Sequence, residues 1–250
     1  MSPIRLALAM AFALLALPCL AAPSPEEIID GYFGPNPDSV PNRGASYTGE
    51  MKRRYSDEPT VGQMLLPGKH YAARRLALSP ADAPVYDVTI DNGRETIDWY
   101  AYFTSESGTL KLKAVRSLGA ASSTYDGMVL AQKTARSDQE EWDYQSLRIA
   151  FLPDLERLAH FRKQLGALDA LKTAIDARDA KAIRTRMNAL HFKDWERIAL
   201  GRLELRLGGP SQGVVGVLYV PPGEKLPSIN ETGHLYIERI EGPWHVYKTM

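Results

Sequence analysis

Asp98, Tyr100 and Tyr102 alternate along a predicted strand, and Trp99 lies between the first two. A carboxyl group with an apolar lining has a raised pKa and can transfer protons, while a tyrosine hydroxyl can donate to an oxyanion. These three side chains are therefore candidates for acid–base catalysis. The alternation of Asp98 with Ile97 and Trp99 favours a simpler interpretation, in which Asp98 lies on the polar side of its strand and faces water.

A second group of candidates lies in the last predicted hairpin, where Tyr236, His245 and Tyr247 are close in sequence or across the turn. With Trp99, they are the candidate ligand-binding residues. Aromatic rings on strands can form a stacking surface for a glycan or an apolar partner. A polar surface network is the simpler interpretation of His245 and its neighbours.

Metal and nucleophile chemistry have no comparable pattern. No two of the five histidines have the i, i+4 helical spacing or the i, i+2 strand spacing that places two imidazoles on one face. Pairing Ile240 with Trp244 would also place His234 and His245 on opposite faces of a sheet. The chain has no Gly-x-Ser-x-Gly and no Ser-x-x-Lys motif. We therefore expect no metal site and no cofactor.

The first 21 residues have the pattern of a secretory signal peptide. Arg5 provides the positive charge, an apolar run from Leu6 to Leu17 follows, and small residues precede a predicted cleavage after Ala21. The only cysteine, Cys19, lies inside this leader, and Pro18 before it makes a poor lipidation site. A mature chain without cysteine has no disulfides, so we expect a periplasmic protein with no stable membrane insertion after cleavage.

Charge excludes a further class of function. Thirty basic residues balance thirty acidic ones, and removal of Arg5 with the leader leaves 29 basic residues against 30. Nucleic-acid-binding proteins usually carry a basic excess or a basic stripe. We therefore expect no nucleic acid among the partners.

The best-specified elements are strands of the first half. Asn92-Gly93 predicts a two-residue hairpin turn between strands that begin at Val85 and end near Phe103, and a third strand follows Gly108. With an edge strand from His70 to Leu78, the first half predicts a four-stranded antiparallel meander with one buried face.

Helix signals precede these strands and recur in the second half. Capping boxes at Ser24 and Ser137 predict helices over 25–33 and from 138 onward, and Thr48 and Thr60 cap short helices. Pro153 is expected to start the longest helix, with one apolar stripe from Leu155 to Ile175. Four strands follow, at 202–207, 214–220, 233–240 and 244–249.

The element order therefore repeats. We predict an α+β chain of two tandem modules, each made of helices followed by a four-stranded antiparallel meander, over 22–118 and 137–250 with a linker at 119–136. The last turns align, with Gly108-Thr109-Leu110-Lys111-Leu112 against Gly242-Pro243-Trp244-His245-Val246. Helices followed by a curved sheet that ends in Gly-x-Trp-x-Val resemble the NTF2-like and cystatin-like folds. This resemblance implies a cone-shaped cavity and leaves the chemistry open, because the superfamily includes both enzymes and noncatalytic pocket modules.

The functional prediction is an exported, noncatalytic periplasmic protein. Its partner is a small apolar or amphipathic ligand, or a protein of the cell envelope. The alternative is an isomerase-like acid–base enzyme that uses Asp98 and its neighbouring tyrosines. The direction in which Asp98 points separates the two hypotheses, because an outward carboxylate would leave the enzyme without its base.

Overall fold

A computed structural model describes residues 22–35, 43–54, 57–64, 70–91, 93, 96–118, 137–207 and 213–250. The predicted signal peptide, the predicted linker and Asn92 lie outside these residues. The chain is α+β, with helices and two antiparallel sheets, as the sequence predicts. No helix in the described ranges is long and apolar enough to cross a membrane.

The first module has four helices followed by a four-stranded sheet. The helices are α1 Pro25–Phe33, α2 Arg43–Ser46, α3 Gly49–Arg54 and α4 Val61–Met64. The strands are β1 His70–Arg75, β2 Val85–Asp91, β3 Thr96–Glu106 and β4 Thr109–Ser117. They pair in the order β1-β2-β3-β4, which confirms the predicted meander with β1 at its edge. The capping box at Ser24 begins α1 as predicted.

The hairpin between β2 and β3 is longer than a two-residue turn. Asp91 pairs with Thr96, so four residues connect the strands, and the prediction of a two-residue turn is wrong. The observed register places Ile90 opposite Ile97, whereas the shorter turn would place it opposite Glu95. Gly93 has a φ of 77° and its N–H donates to Asp91 Oδ1, which is a turn stabilised by an aspartate side chain.

Both faces of the first sheet are covered, so the prediction of one buried face is also wrong. One face packs on helix α1 through residues such as Phe33, Val88 and Phe103. The opposite face carries Tyr100 and Tyr102, which belong to the core of the second module. This second contact could not be predicted from alternation, because it depends on how the two halves pack together.

The described residues of the second module form four α-helices, a short 3-10 helix at Ala199–Gly201 and a five-stranded sheet. The helices are α5 Asp138–Ala150, α6 Asp154–Arg162, α7 Leu165–Asp176 and α8 Ala180–Ala189. The strands are β5 Asp194–Arg197, β6 Leu203–Arg206, β7 Val214–Tyr219, β8 His234–Glu241 and β9 Trp244–Thr249. Their order is β5-β6-β7-β9-β8.

This sheet differs from the predicted four-stranded meander. The short strand β5 adds a fifth member at one edge, and β9 lies between β7 and β8. The chain therefore leaves β7, passes through the loop at 221–233, forms the outer strand β8 and returns as β9. The sequence 194–197 has too few apolar residues to signal a strand, and pairing with β6 determines its conformation.

The predicted longest helix is two helices. Gln164 has φ −112° and ψ 14°, which ends α6 and begins α7. The break lets Phe161 and Leu171 enter the same core, where Phe161 stacks on Phe192 at a centroid distance of 5.5 Å. Leu155, at the start of the predicted stripe, is 54 % exposed.

Candidate functional site

Buried charged and hydroxyl groups from both modules meet where the first sheet contacts the second module. We call this cluster the ionic junction. Its members are Arg74, Asp87, Asp98, Tyr100, Asp154, Arg157, Tyr236, Glu238 and Lys248. Strands β1, β2 and β3 provide the first four, and α6, β8 and β9 provide the others.

Asp98 joins β3 to the start of helix α6. Its Oδ2 accepts a hydrogen bond of 3.0 Å from the backbone N–H of Asp154, which is the first residue of that helix. Pro153 precedes the helix and provides no side-chain cap, so a carboxylate from the other module satisfies this N–H. Asp98 Oδ1 accepts from Thr89 at 3.1 Å. Asp98 is 7 % exposed, so the expectation that it faces water is wrong.

Asp154 is held by three side chains of the ionic junction. Its Oδ2 accepts from the Tyr100 hydroxyl at 2.6 Å, and its Oδ1 lies 2.6 Å from Arg157 and 2.8 Å from Lys248. Lys248 Nζ also lies 3.2 Å from Asp98 Oδ2 and above the Tyr100 ring. One ammonium group therefore connects β9 to both α6 and β3.

Arg157 holds the end of α5 against the start of α6. Its guanidinium donates to the carbonyls of Ile149 and Ala150 in the last turn of α5, and to that of Leu152 in the connection. The C-terminal carbonyls of a helix attract cations. Arg157 is 1 % exposed, and its guanidinium has a donor for each of these carbonyls. These hydrogen bonds compensate its buried charge.

Arg74 and Glu238 form the outer rim of the ionic junction. Arg74 donates two hydrogen bonds to Glu238, at 2.8 and 2.7 Å, and one to Asp87 Oδ2 at 2.6 Å. Tyr236 donates to Glu238 at 2.6 Å. Arg74 therefore bridges a carboxylate of the first module to one of the second.

The electrostatics of the three aspartates differ. Burial raises the pKa of Asp98 despite the opposing effect of Lys248. Burial also acts on Asp154, but Lys248 and Arg157 more than offset it and lower the pKa of that group. Burial, with repulsion from Asp154 and Asp98, raises the pKa of Asp87 to about 8.

The three aspartates also have the spacing of a cation site. One oxygen from each of Asp87, Asp98 and Asp154 lies within 4.8 Å of the others. The protein's own cations already occupy this space, because Lys248 and Arg157 contact two of the three carboxylates. A divalent ion would have to displace the ammonium group against its charge, so the arrangement fits internal ion pairing better than metal binding.

The other predicted candidates are dispersed. Tyr102 is buried on the same face as Asp98 and donates to the carbonyl of Leu235 at 2.9 Å. Trp99 lies on the opposite face, where its ring contacts Phe33 at a centroid distance of 6.2 Å. Trp99 is thus separated from the acidic group by the sheet itself.

The second predicted cluster is divided between two faces. Tyr236 pairs with Lys248 and belongs to the ionic junction, whereas His245 and Tyr247 point to the other face of the sheet. The simpler interpretation as a surface network is wrong, because both residues are buried. Glu241, not Ile240, pairs with Trp244, and irregular pairing in β8 places His234 opposite Thr249, on the His245 side.

Sequence reasoning missed Asp87, Asp154, Arg157 and Lys248. Asp154 and Arg157 have ordinary helical i, i+3 spacing, and Lys248 resembles the polar position of an alternating strand. Asp87 also gave no signal, because it occupies a regular polar position of an alternating strand, as Thr89 and Asp91 do. Comparison of the chain with protein-family models, with curated proteins and with solved structures finds no match.

Proposed function

We propose that the chain is an exported, noncatalytic periplasmic protein that binds a small apolar or amphipathic ligand. The observation that carries the proposal is the mutual pairing of the acid–base groups inside the ionic junction. Asp154 pairs with Arg157 and with Lys248, each of these three residues is at most 5 % exposed, and Lys248 also pairs with Asp98 of the first module. These ion pairs hold the two modules together. The charged groups therefore stabilise the fold and do not catalyse a reaction.

The export and the NTF2-like or cystatin-like resemblance belong to the same proposal. The leader pattern over the first 21 residues supports export, and helices followed by antiparallel strands support a fold that encloses ligands. Edman sequencing of the protein from a periplasmic fraction tests the first point. The expected N-terminus is Ala22, and an intact Met1 in the cytoplasmic fraction would contradict export.

Native mass spectrometry of protein purified from periplasm without refolding tests the ligand. We expect a bound mass that acid or organic solvent releases as a small apolar or amphipathic molecule. A clean ligand-free mass, with an envelope protein recovered by crosslinking in cells, would replace the ligand by a protein partner. The Tyr100→Phe variant is the matched control, because a folded variant should retain the bound mass.

An acid–base enzyme is the second candidate, and one observation favours it. Asp98 points inward beside Tyr100, and burial raises its pKa, which is the environment of a general acid. The accessibility of these groups argues against it, because Asp87 is 1 % and Asp98 is 7 % exposed. Turnover of a conjugated or enolisable ketone that Asp98→Asn abolishes, in a variant that keeps its fold, would establish the enzyme.

A further inference from the structure

Asp87 differs from the other carboxylates of the ionic junction in its hydrogen bonding. It lies on β2, opposite Arg74 on β1 and Tyr100 on β3. Its Oδ2 accepts from Arg74, but its Oδ1 is buried without a hydrogen-bond partner. A buried anionic oxygen without a donor carries the full cost of desolvation.

The charges around Asp87 do not balance when every group is ionised. The charged and titratable groups that face it from the surrounding elements are Arg74 (β1), Asp98 and Tyr100 (β3), Asp154 and Arg157 (α6), Tyr236 and Glu238 (β8) and Lys248 (β9). With Asp87 included, four carboxyl groups meet three cations in the described part of the junction. One added proton makes the set neutral.

Hydrogen bonding decides which carboxyl group takes this proton. Asp154 has Tyr100, Arg157 and Lys248, and Asp98 has Thr89, Lys248 and a backbone N–H. Glu238 has both nitrogens of Arg74 and the Tyr236 hydroxyl. Asp87 has a single donor, so its anion is the least stabilised of the four.

We propose that Asp87 is a proton-binding site, occupied at neutral pH, and that its release of the proton weakens the attachment of the first sheet to the second module. The released state places a new negative charge within 4.8 Å of oxygens of Asp98 and Asp154. It also strengthens the hold of Asp87 on Arg74, which competes with the bond from Arg74 to Glu238 of the other module. The site would make assembly of the two modules sensitive to alkaline pH.

The sign of the effect follows from the two protonation states. The unfolded chain loses this proton near 3.8, and the folded chain keeps it until the pKa of about 8. Stability therefore falls as pH rises between these values and is no longer affected above them. The folding equilibrium constant should fall roughly fivefold between pH 7 and pH 8 from this group alone.

Titration of the buried histidines changes stability with pH in the opposite direction. The pH range of the measurement is therefore chosen to limit their contribution. Burial lowers the pKa of four of them from 6.5, so they are mostly neutral in both states above pH 7. These are His160, His191, His234 and His245. The histidine contribution that remains is the same in the wild type and in Asp87→Asn, so the difference between these two proteins over pH 7 to 8.5 isolates the carboxyl group.

The direct test is carbon-13 NMR of the side-chain carboxyl carbons in the full chain labelled uniformly with carbon-13 and nitrogen-15, with Asp87 assigned through its own backbone resonances. We expect the Asp87 signal to titrate close to pH 8. A signal already ionised at pH 6 would overturn the proposal. This measurement uses the wild-type protein, so it decides the question even where the variant fails to fold.

Urea unfolding of Asp87→Asn tests how this proton affects the pH dependence of stability. Asparagine has the shape of the neutral carboxyl group, so the variant should lose the fivefold decrease between pH 7 and 8. Asp82→Asn, at an exposed loop position, is the control and should retain the decrease. An unchanged decrease in Asp87→Asn would overturn the proposal, whatever native mass spectrometry finds about a ligand.

Discussion

Lys248 Nζ on β9 lies 2.8 Å from Asp154 Oδ1 at the first residue of α6, and the same ammonium group reaches Asp98 in the other module. The Lys248 side chain is 7 % exposed, and the Asp154 side chain is fully buried. Two carboxylates thus depend on one buried cation. Its removal would leave Asp98 without its ion-pair partner and Asp154 with Arg157 alone.

Lys248→Met is therefore expected to destabilise the protein strongly. Loss of one partner of a buried ion pair costs about 3–5 kcal/mol, because the remaining charge stays buried. Urea unfolding at pH 7 measures the change. Lys193→Met is the matched control, since its pair with Asp143 is close to half exposed and should cost less than about 1 kcal/mol. Equal costs for the two variants would contradict the role given to the ionic junction.

Tyr100→Phe removes the hydroxyl group that donates to Asp154 at 2.6 Å. A buried hydrogen bond to a charged group contributes about 1.5–3 kcal/mol, so we expect a loss in that range without a change of fold. Tyr71→Phe removes a hydroxyl that donates to Asp30 in an exposed hydrogen bond and should cost less. Thermal unfolding of both variants decides the comparison, and a larger loss for Tyr71→Phe would refute it.

His245 predicts an acid-sensitive contribution to stability. Burial lowers its pKa from 6.5, so the unfolded chain binds the proton first as pH falls. Its contribution is complete above the unfolded value and is lost as pH decreases below about 6.5, by at most about 1.4 kcal/mol per pH unit. His245→Gln should reduce the slope of stability against pH between 7 and 5.5. An unchanged slope in a folded His245→Gln variant would contradict this contribution.

Gly216 on β7 is required by close packing. A Cβ at this position would meet the backbone oxygen of Leu205 and would lie 3.0 Å from the Tyr247 ring. Backbone atoms in a paired strand have little room to move, so Gly216→Ala should cost roughly 1–3 kcal/mol. Gly166→Ala, in the open first turn of α7, should instead stabilise by about 0.5–1 kcal/mol. Chemical denaturation of the two glycine variants should give changes of opposite sign in the free energy of unfolding.

Local signals in the sequence determined most of the elements. The capping boxes at Ser24 and Ser137 begin helices where predicted, because each cap bonds backbone groups within three residues. Strand patterns and turn residues likewise located eight of the nine strands in the described residues, all except β5. Each of these features depends on residues adjacent in sequence, so no knowledge of the packing is needed.

Errors occurred where distant segments decide the outcome. The apolar stripe from Leu155 to Ile175 is continuous in sequence, yet the backbone leaves the helical conformation at Gln164 and divides the stripe between α6 and α7. Residues of both helices pack into the core around Phe161. Asp98 was expected to face water because its strand alternates, yet a second module covers that face. Alternation reports which residues share a side of a strand and contains no information about what covers each side.

The sequence by itself therefore determined the α+β class, the first meander, and the positions of the helix caps. Tertiary structure alone decided that Asp98 and Lys248, 150 residues apart, share one ionic junction with Asp154. The reason is physical. Caps and strand alternation act over a few residues, whereas burial of a charge is tolerable only when packing brings its partner from elsewhere in the chain.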